Sequence, residues 1–529
     1  MTQPGLAPAH DAPTVALHTL GCRLNQYETE AIREQFVSRG FRVVPFSGPA
    51  DVYVVNTCTV TNQADASARQ ALRRAVRTVR AKRAAGRDPA SMVVATGCYA
   101  QTNPGQLLEI DGVDLVLGNV EKGDLVDHVL TMRAGDPPAS RVTRRAEMSQ
   151  FDERLDVSAF ESRTRAMLKI QDGCDQFCSF CIIPWARGRH RSLPPDAVMR
   201  QVQTLVDRGY AEIVLTGVHL GEYGTDLPTP VTLNDIIRQI LERTTLSRLR
   251  LSSIWPTAVN GELIDLLERH APRLCRYTHL AVQHGDDPLL EAMRRTYTAG
   301  QAEKVVERLV DAVPDICIGA DIMVGFPGET DASFQRMYDW LERQPYAYFH
   351  VFSYSRRDHT RAARMPDQVP PSAARERSRL LRTLSDRKSA AYNSRFRGRI
   401  LPVLVEEESG GSPGSPGPRG GSGPQALVMT GRTDHGLRCW FEGQAELVNT
   451  FVDVEVDATD AQGATGRLIV PDAQGATGRL IVPDLRGASR GATADAVPAI
   501  RDASTADAVP AIKDAADRVS VADATLELD

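Results

Sequence analysis

A chain of 529 residues is long for one core and divides into roughly two to four domains. Its 42% hydrophobic and 24% charged residues suit an ordinary globular protein, and no run approaches the ~20 apolar positions of a membrane span. The net charge of −5 lies in residues 457–529, which hold 12 acidic and 7 basic side chains; the first 456 carry 55 of each sign, so a polyanionic partner is not excluded. Met1 to Pro13 lacks the basic and apolar regions of a secretory signal. Most of the nine cysteines fall in motifs rather than a disulfide framework, so a reducing, cytoplasmic location is expected.

In chain order, residues 14–136 read as a parallel-sheet α/β domain. The strand-like runs Thr14–Thr19, Val52–Asn56, Met92–Thr96 and Leu115–Leu117 alternate with amphipathic helices. A cysteine follows each of the first three, as Cys22, Cys58 and Cys98. Loops at the C-terminal ends of parallel strands share one sheet edge, so the three thiols can meet there. Singly each would read as an inert buried cysteine; in equivalent positions they point to a metal cluster. Between Arg69 and Arg87 stand eight basic residues and no acid, with Arg69, Arg73, Arg77, Arg80, Arg83 and Arg87 on one helical arc. Such a face commonly serves solvation alone, but its place after Cys58 favours phosphate binding.

Residues 137–162 lack periodicity and read as a linker. From 163 to 394 the alternation resumes, with strands expected at Ala166–Ile170, Glu212–Thr216, Arg248–Ser253, Tyr277–Val282, Ile316–Val324 and Tyr348–Tyr354. Six such units predict a partial (β/α)6 barrel with its site at the strand C-termini. After the first strand comes Gly173-Cys174-Asp175-Gln176-Phe177-Cys178-Ser179-Phe180-Cys181. Three thiolates on one loop make a poor structural zinc site, which wants four ligands. They suit a cubane iron–sulfur cluster with one iron left open to a small chelating molecule. The bland alternative is a buried thiol cluster or partial zinc knuckle. Glycine-bearing turns follow at Thr216-Gly217 and Val324-Gly325-Phe326, where backbone can approach a ligand closely. His219 is given no catalytic role.

Residues 372–399 form an Arg- and Lys-rich helix and exit segment. A small β module, 395–456, contains Trp440 and Phe441 and a Gly/Ser/Pro insertion, 409–424, expected to be a flexible loop. In 457–529, Asp460–Pro471 repeats unchanged as Asp472–Pro483, and Thr493–Ser504 nearly repeats as Thr505–Ala516. This composition cannot build a core, so a disordered tail is expected.

The combined motifs resemble the radical S-adenosylmethionine (SAM) methylthiotransferases. Leu20-Gly21-Cys22-Arg23-Leu24-Asn25-Gln26-Tyr27-Glu28-Thr29-Glu30, Asn56-Thr57-Cys58-Thr59-Val60-Thr61 and Gly97-Cys98-Tyr99-Ala100 resemble their N-terminal domain. Gln171 to Cys181, continuing as Ile182-Ile183-Pro184-Trp185-Ala186-Arg187-Gly188, resembles their catalytic loop, and 395–456 their RNA-binding TRAM barrel. The sequences around Cys22 and the arginines after Cys181 are most similar to the branch acting on N6-threonylcarbamoyladenosine in tRNA.

The resemblance implies two 4Fe–4S clusters and SAM. Cys174, Cys178 and Cys181 would hold the cluster that cleaves SAM, and Cys22, Cys58 and Cys98 an auxiliary cluster carrying the sulfur. One SAM would methylate that sulfur, and a second would yield the radical that takes hydrogen from C2 of the adenine beside the anticodon. Phe180, Thr216, Gly217, Val324, Gly325 and Phe326 would line the SAM pocket, and Arg69, Arg73, Arg77, Arg80, Arg187 and Arg189 would meet RNA. The partners implied are tRNA, an electron donor and a sulfur donor, with no membrane and a monomeric enzyme. The chain departs from the pattern at Trp255, where relatives have Glu, and at His284, where they have Ser. Cys275, Cys317 and Cys439 match no motif and are expected to pack. The alternatives are the same chemistry on isopentenyladenosine or a ribosomal protein, and a non-catalytic metal-stapled RNA-binding module.

Overall fold

The computed structural model describes residues 12–84, 91–133, 135–160, 164–408, 427–471 and 477–479. The insertion 409–424, Arg87 and the second pair of repeats lie outside them.

The N-terminal domain is a six-stranded parallel sheet, β1 (Thr14–Thr19), β2 (Arg42–Val43), β3 (Val52–Thr57), β4 (Met92–Gly97), β5 (Leu115–Leu117) and β6 (Ala139–Arg141), in the order β2-β1-β3-β4-β5-β6. Its central strand β3, Val-Tyr-Val-Val-Asn-Thr, is buried along its whole length, as a parallel strand covered on both faces must be. Helix α1 (Arg23–Ser38) packs Tyr27, Ile32 and Phe36 on one side of the sheet, and α2 (Asn62–Ala84) packs Leu72, Ala75 and Val79 on the other. Strand β6 falls in the stretch read above as a linker. Its three residues have no apolar pattern and join the sheet through backbone pairing with β5, with Ala139 packed against the core, which corrects that expectation.

The central domain carries two parallel sheets, β7 (Arg165–Lys169), β10 (Glu212–Thr216) and β11 (Arg248–Leu251), then β12 (Tyr277–Gln283), β13 (Cys317–Val324) and β14 (Tyr348–Ser353). Isolated parallel bridges, Leu249 to Leu274 and Ile254 to Leu280, join the two into one curved row of six strands. A two-residue ribbon, β8 (Gln171–Asp172) against β9 (Arg191–Ser192), stands over the C-terminal end of β7.

The C-terminal module is a closed five-stranded barrel of β15 (Ile400–Glu408), β16 (Leu427–Arg432), β17 (Arg438–Gly443), β18 (Phe451–Thr459) and β19 (Ala464–Pro471). It sits beneath the central sheet. Arg248 donates to the carbonyls of Arg432 and Pro402 at 2.9 and 2.7 Å, and Arg250 to those of Thr433 and Asp434 at 3.0 and 3.2 Å. Tyr277 and Cys317, which begin β12 and β13, share a core with Leu401, Cys439 and Phe441. The N-terminal ends of these strands are thereby plugged, and chemistry is left to the C-terminal ends.

The barrel also corrects the boundary of the tail. The first of the two identical repeats supplies β19, which pairs antiparallel with β18 and parallel with β17 at Cys439–Ala464 and Trp440–Thr465. A segment too poor in apolar residues to build a core can still complete one, because its partners already exist. A second unit begins at Val470, and within it Thr477–Arg479 is a strand. No helix among the described residues is long and apolar enough to cross a membrane.

Truncation tests the role of β19. A chain ending at Pro471 should keep its unfolding midpoint. One ending at Thr459 should lower the midpoint of the barrel by roughly 10–20 °C, as expected from a loss of about 2–3 kcal/mol in so small a domain.

Candidate active site

The three N-terminal thiols gather at one sheet edge. Cys22 caps α1, Cys58 follows β3, and Cys98 opens a short helix, α3 (Cys98–Thr102). Gly21 makes the approach possible. Its φ of 93° is left-handed, and a Cβ there would stand 2.7 Å from Cys58 Sγ. Asn25 ties the loops together by donating to the carbonyls of Leu20 (2.7 Å) and Thr57 (3.1 Å). Burial pushes the Cys58 thiol up, and the neighbouring Cys98 and Cys22 push it further. Burial also raises Cys98, against the pull of Arg187 and Lys122.

The second triad lies on the loop after β8. Gly173, with a φ of 70°, lets the loop fold onto the Arg189 carbonyl, which a Cβ would meet at 1.8 Å. Ser179 fixes the far side through its N–H to the Met293 carbonyl (3.1 Å) and its hydroxyl to that of Ala292 (2.6 Å). Burial, with help from Cys178, pushes Cys181 up; burial pushes Cys174 up to about 11. Arg295 donates to Cys178 Sγ at 3.4 Å and lies 3.5 Å from the Trp255 ring centroid.

The residues expected around SAM converge on this loop in part. Phe180 meets Phe326 edge to face, with centroids 6.5 Å apart. Thr216 ends β10, and Gly217 lies against Gln171, the residue leading into the loop. Val324 ends β13, and the Gly325 N–H is held by the buried Glu329 carboxylate. His284 also contacts Glu329 (3.4 Å), so this departure from the family pattern acts behind the turn. The His219 ring packs at a tilt against Trp255, with centroids 4.5 Å apart, and both its ring nitrogens are buried without a hydrogen-bond partner among the described residues.

Between the triads lies a buried ion cluster. Glu28 of α1 accepts from Arg187 at 2.8 and 3.2 Å, from Lys169 at 3.0 Å, and from Lys122. Arg187 also donates to Asp172 at 3.0 Å and to Asn25 Oδ1 at 2.7 Å, and Arg191 pairs with Asp172. Burial alone would raise the Glu28 carboxyl, but Arg187, Lys122 and Lys169 together hold it well below the usual range. Arg187 is 1% exposed, so it does not meet RNA as expected above: its partners are two buried carboxylates.

Of the other expected RNA contacts, Arg73, Arg77, Arg80 and Arg189 are exposed. Arg80 pairs with Asp111, and Arg69 is turned inward to the Tyr99 hydroxyl at 2.7 Å. Motif reading missed an aromatic rim beside the second triad. There Arg145 lies over Phe177 (4.7 Å) and Trp185 (5.2 Å), and His359 packs on Trp185 at 5.3 Å. Phe177 and Trp185 flank the cysteines in sequence, but Arg145 and His359 are marked by nothing local.

Residues 14–118 match uncharacterized protein family UPF0004, and residues 168–341 match the radical SAM superfamily. The chain is 38% identical over 444 residues to the threonylcarbamoyladenosine tRNA methylthiotransferase MtaB of Bacillus subtilis, covering 84% of this chain and 93% of that one. Its identity to the protein of the same name from Aquifex aeolicus is 39% over 401 residues, 75% and 93% of the two chains. The ribosomal protein uS12 methylthiotransferase RimO of Desulforudis audaxviator is 34% identical over 403 residues, 76% and 87%. The chain belongs to the radical SAM methylthiotransferase family.

Removing the charge of Glu28 leaves its cations buried with one carboxylate fewer. Glu28→Gln should therefore cost about 3–5 kcal/mol in urea denaturation. Because the folded-state pKa of Glu28 lies below its ordinary 4.5, its contribution is full above that pH and fades as pH falls beneath it. The wild type should lose stability in acid below about pH 4.5, and the variant should lose less.

Proposed function

We propose that this protein is a tRNA methylthiotransferase that places a methylthio group on C2 of N6-threonylcarbamoyladenosine beside the anticodon. The observation that carries the reading is the presence of two separate cysteine triads in one chain, bridged by the Glu28–Arg187–Asp172 cluster. Relatives named for threonylcarbamoyladenosine in tRNA match over most of both chains and support the substrate.

Both triads fit iron–sulfur clusters of the open-iron kind. Each offers three buried or half-buried thiols, and cations stand close: Arg187 and Lys122 near Cys98, and Arg295 on Cys178. Those cations offset the negative charge that three thiolates bring. Cys174, Cys178 and Cys181 would hold the cluster that meets SAM, and Cys22, Cys58 and Cys98 the auxiliary one. When bound, the clusters and SAM supply the electron, the radical and the sulfur that an unactivated aromatic C–H demands, since it has no acidic proton for a side-chain base.

The chain's own residues bind and orient. Phe180, Phe326, Thr216, Gly217, Val324 and Gly325 would shape the SAM pocket. Arg295 would donate to a cluster sulfur, and Arg187, through Asn25 and Asp172, would fix one triad relative to the other. Arg73, Arg77, Arg80 and Arg189 would meet phosphates, while Trp185 and Phe177 offer faces on which an unpaired loop base can stack. The reaction also requires an external electron donor and a sulfur donor, and we place the enzyme in the cytoplasm as a monomer.

In the reconstituted enzyme, with an anticodon stem–loop carrying threonylcarbamoyladenosine, Cys178→Ala should abolish SAM cleavage. Cys58→Ala should retain cleavage, lose about half the iron and form no methylthio product, as the loss of one of two equal clusters requires. Full methylthiolation by Cys58→Ala would overturn the assignment.

A further inference from the structure

One layer of polar side chains on the inner wall of the central domain has no part in either thiol site. Along β12, β13 and β14 the alternation of strand residues puts His279, Asp321 and His350 on one face. His279 Nε2 lies 2.9 Å from Asp321 Oδ1, and His350 Nδ1 lies 3.6 Å from the same oxygen. Ser253 donates to Asp321 Oδ2 at 3.3 Å. Behind them, Tyr348 reaches His279 Nδ1 at 3.0 Å and the Tyr277 hydroxyl at 2.6 Å. Gly319 leaves the room for this, since a Cβ there would strike the Tyr348 ring at 2.3 Å. The wall is rigid on that side and open on the other. The side chains of Asp321 and His350 are 19% and 30% exposed, and His350 Nε2 has no hydrogen-bond partner among the described residues.

The layer is close to both triads. Two residues along β13 from Asp321, which at the strand rise is roughly 7 Å, Met323 packs in the cluster that includes Phe326 and Phe180 of the cysteine loop. Arg23, the residue after Cys22, is near enough for its charge to act on His279 and Tyr348. Burial lowers the His279 pKa; Asp321 opposes this, while His350 and then the Arg23 guanidinium add to it through space. Arg23 is half-buried, and among the described residues it has no carboxylate partner. A cation without a carboxylate partner, an imidazole with a free nitrogen and a carboxylate held by His279 and Ser253 therefore lie near one another among the described residues.

The layer also groups as donors for a metal ion, since the three ligand atoms lie within 4.8 Å of one another. The hydrogen bond between His279 and Asp321, however, already engages the atoms that such an ion would need. Arg23 also brings positive charge to the same place.

We propose that Arg23, His350 and Asp321 form the subsite for the N6 substituent of the substrate base: Arg23 and His350 take its carboxylate, and Asp321 accepts from its ureido N–H groups. This rests on the threonylcarbamoyladenosine reading and extends it. An apolar N6 substituent would shield the Arg23 guanidinium and His350 Nε2 from water and offer them no partner, so the subsite selects for an amino-acid-bearing adenine.

The test uses the full-length, cofactor-loaded enzyme and two anticodon stem–loop RNAs that differ only at N6, one bearing threonylcarbamoyl and the other a plain amino group. The wild type should bind the first more tightly. His350→Phe and Arg23→Met should each shrink the ratio of the two Kd values by on the order of 10- to 100-fold, the worth of a hydrogen bond to a charged group. Iron content and melting curves identify any variant that fails to fold, and His350→Gln, which restores a donor, should recover part of the ratio. Equal weakening on both RNAs, or an unchanged ratio, overturns the subsite while leaving the substrate reading intact. A wild type that makes no methylthio product on the threonylcarbamoyl RNA overturns both. A metal bound beyond the two clusters and lost in Asp321→Asn would make the layer a metal centre instead.

Discussion

Glu28 takes three cations out of water at once, and most of the architecture around the candidate site follows from where they come. Lys122 belongs to the N-terminal domain, whereas Lys169 and Arg187 belong to the central one, Arg187 from the segment just after the third loop cysteine. Buried ion pairs add little net stability over a well-packed apolar replacement, because desolvation offsets the attraction. What they impose is placement: each charge is satisfied in only one arrangement, and any other leaves a charge stranded. Through Asn25, which holds the Cys22 and Cys58 loops and accepts from Arg187, that placement reaches the thiols directly.

The same arrangement explains why the site opens on one side only. The C-terminal barrel occupies the N-terminal ends of the central strands, with Arg248 and Arg250 reaching into its carbonyls. The N-terminal domain is tied across the other end by Arg357, which donates to Thr59 at 3.1 Å and Asn62 at 2.8 Å and pairs with Asp65 near Cys58. The half-buried aromatic rim and the exposed Arg189 lie beside the cysteine loop, so a flipped base and its flanking phosphates have a surface to meet there.

Much of this was legible in the sequence because it is local. The ten strands read from the sequence are short, mostly apolar runs, several with cysteines or glycines at their ends, and their boundaries fall within one or two residues of the reading. What was not legible depends on distant partners. Arg187 looks like one more basic residue in an arginine-rich stretch, yet its carboxylate lies 159 positions away on α1. Strand β19 has the composition of a disordered repeat and becomes ordered only because β17 and β18 await it. His279, Asp321 and His350 sit on three separate strands, and only the register of the sheet brings them together.

The central claim is that this chain methylthiolates threonylcarbamoyladenosine, and the most direct test is nucleoside mass spectrometry of tRNA from cells with the gene deleted and then restored. The account predicts that the methylthio form of threonylcarbamoyladenosine disappears on deletion and returns with the gene, while unmethylthiolated threonylcarbamoyladenosine accumulates in between. An unchanged level of that nucleoside, with a change instead in the isopentenyl-type product or in a ribosomal protein, would contradict it.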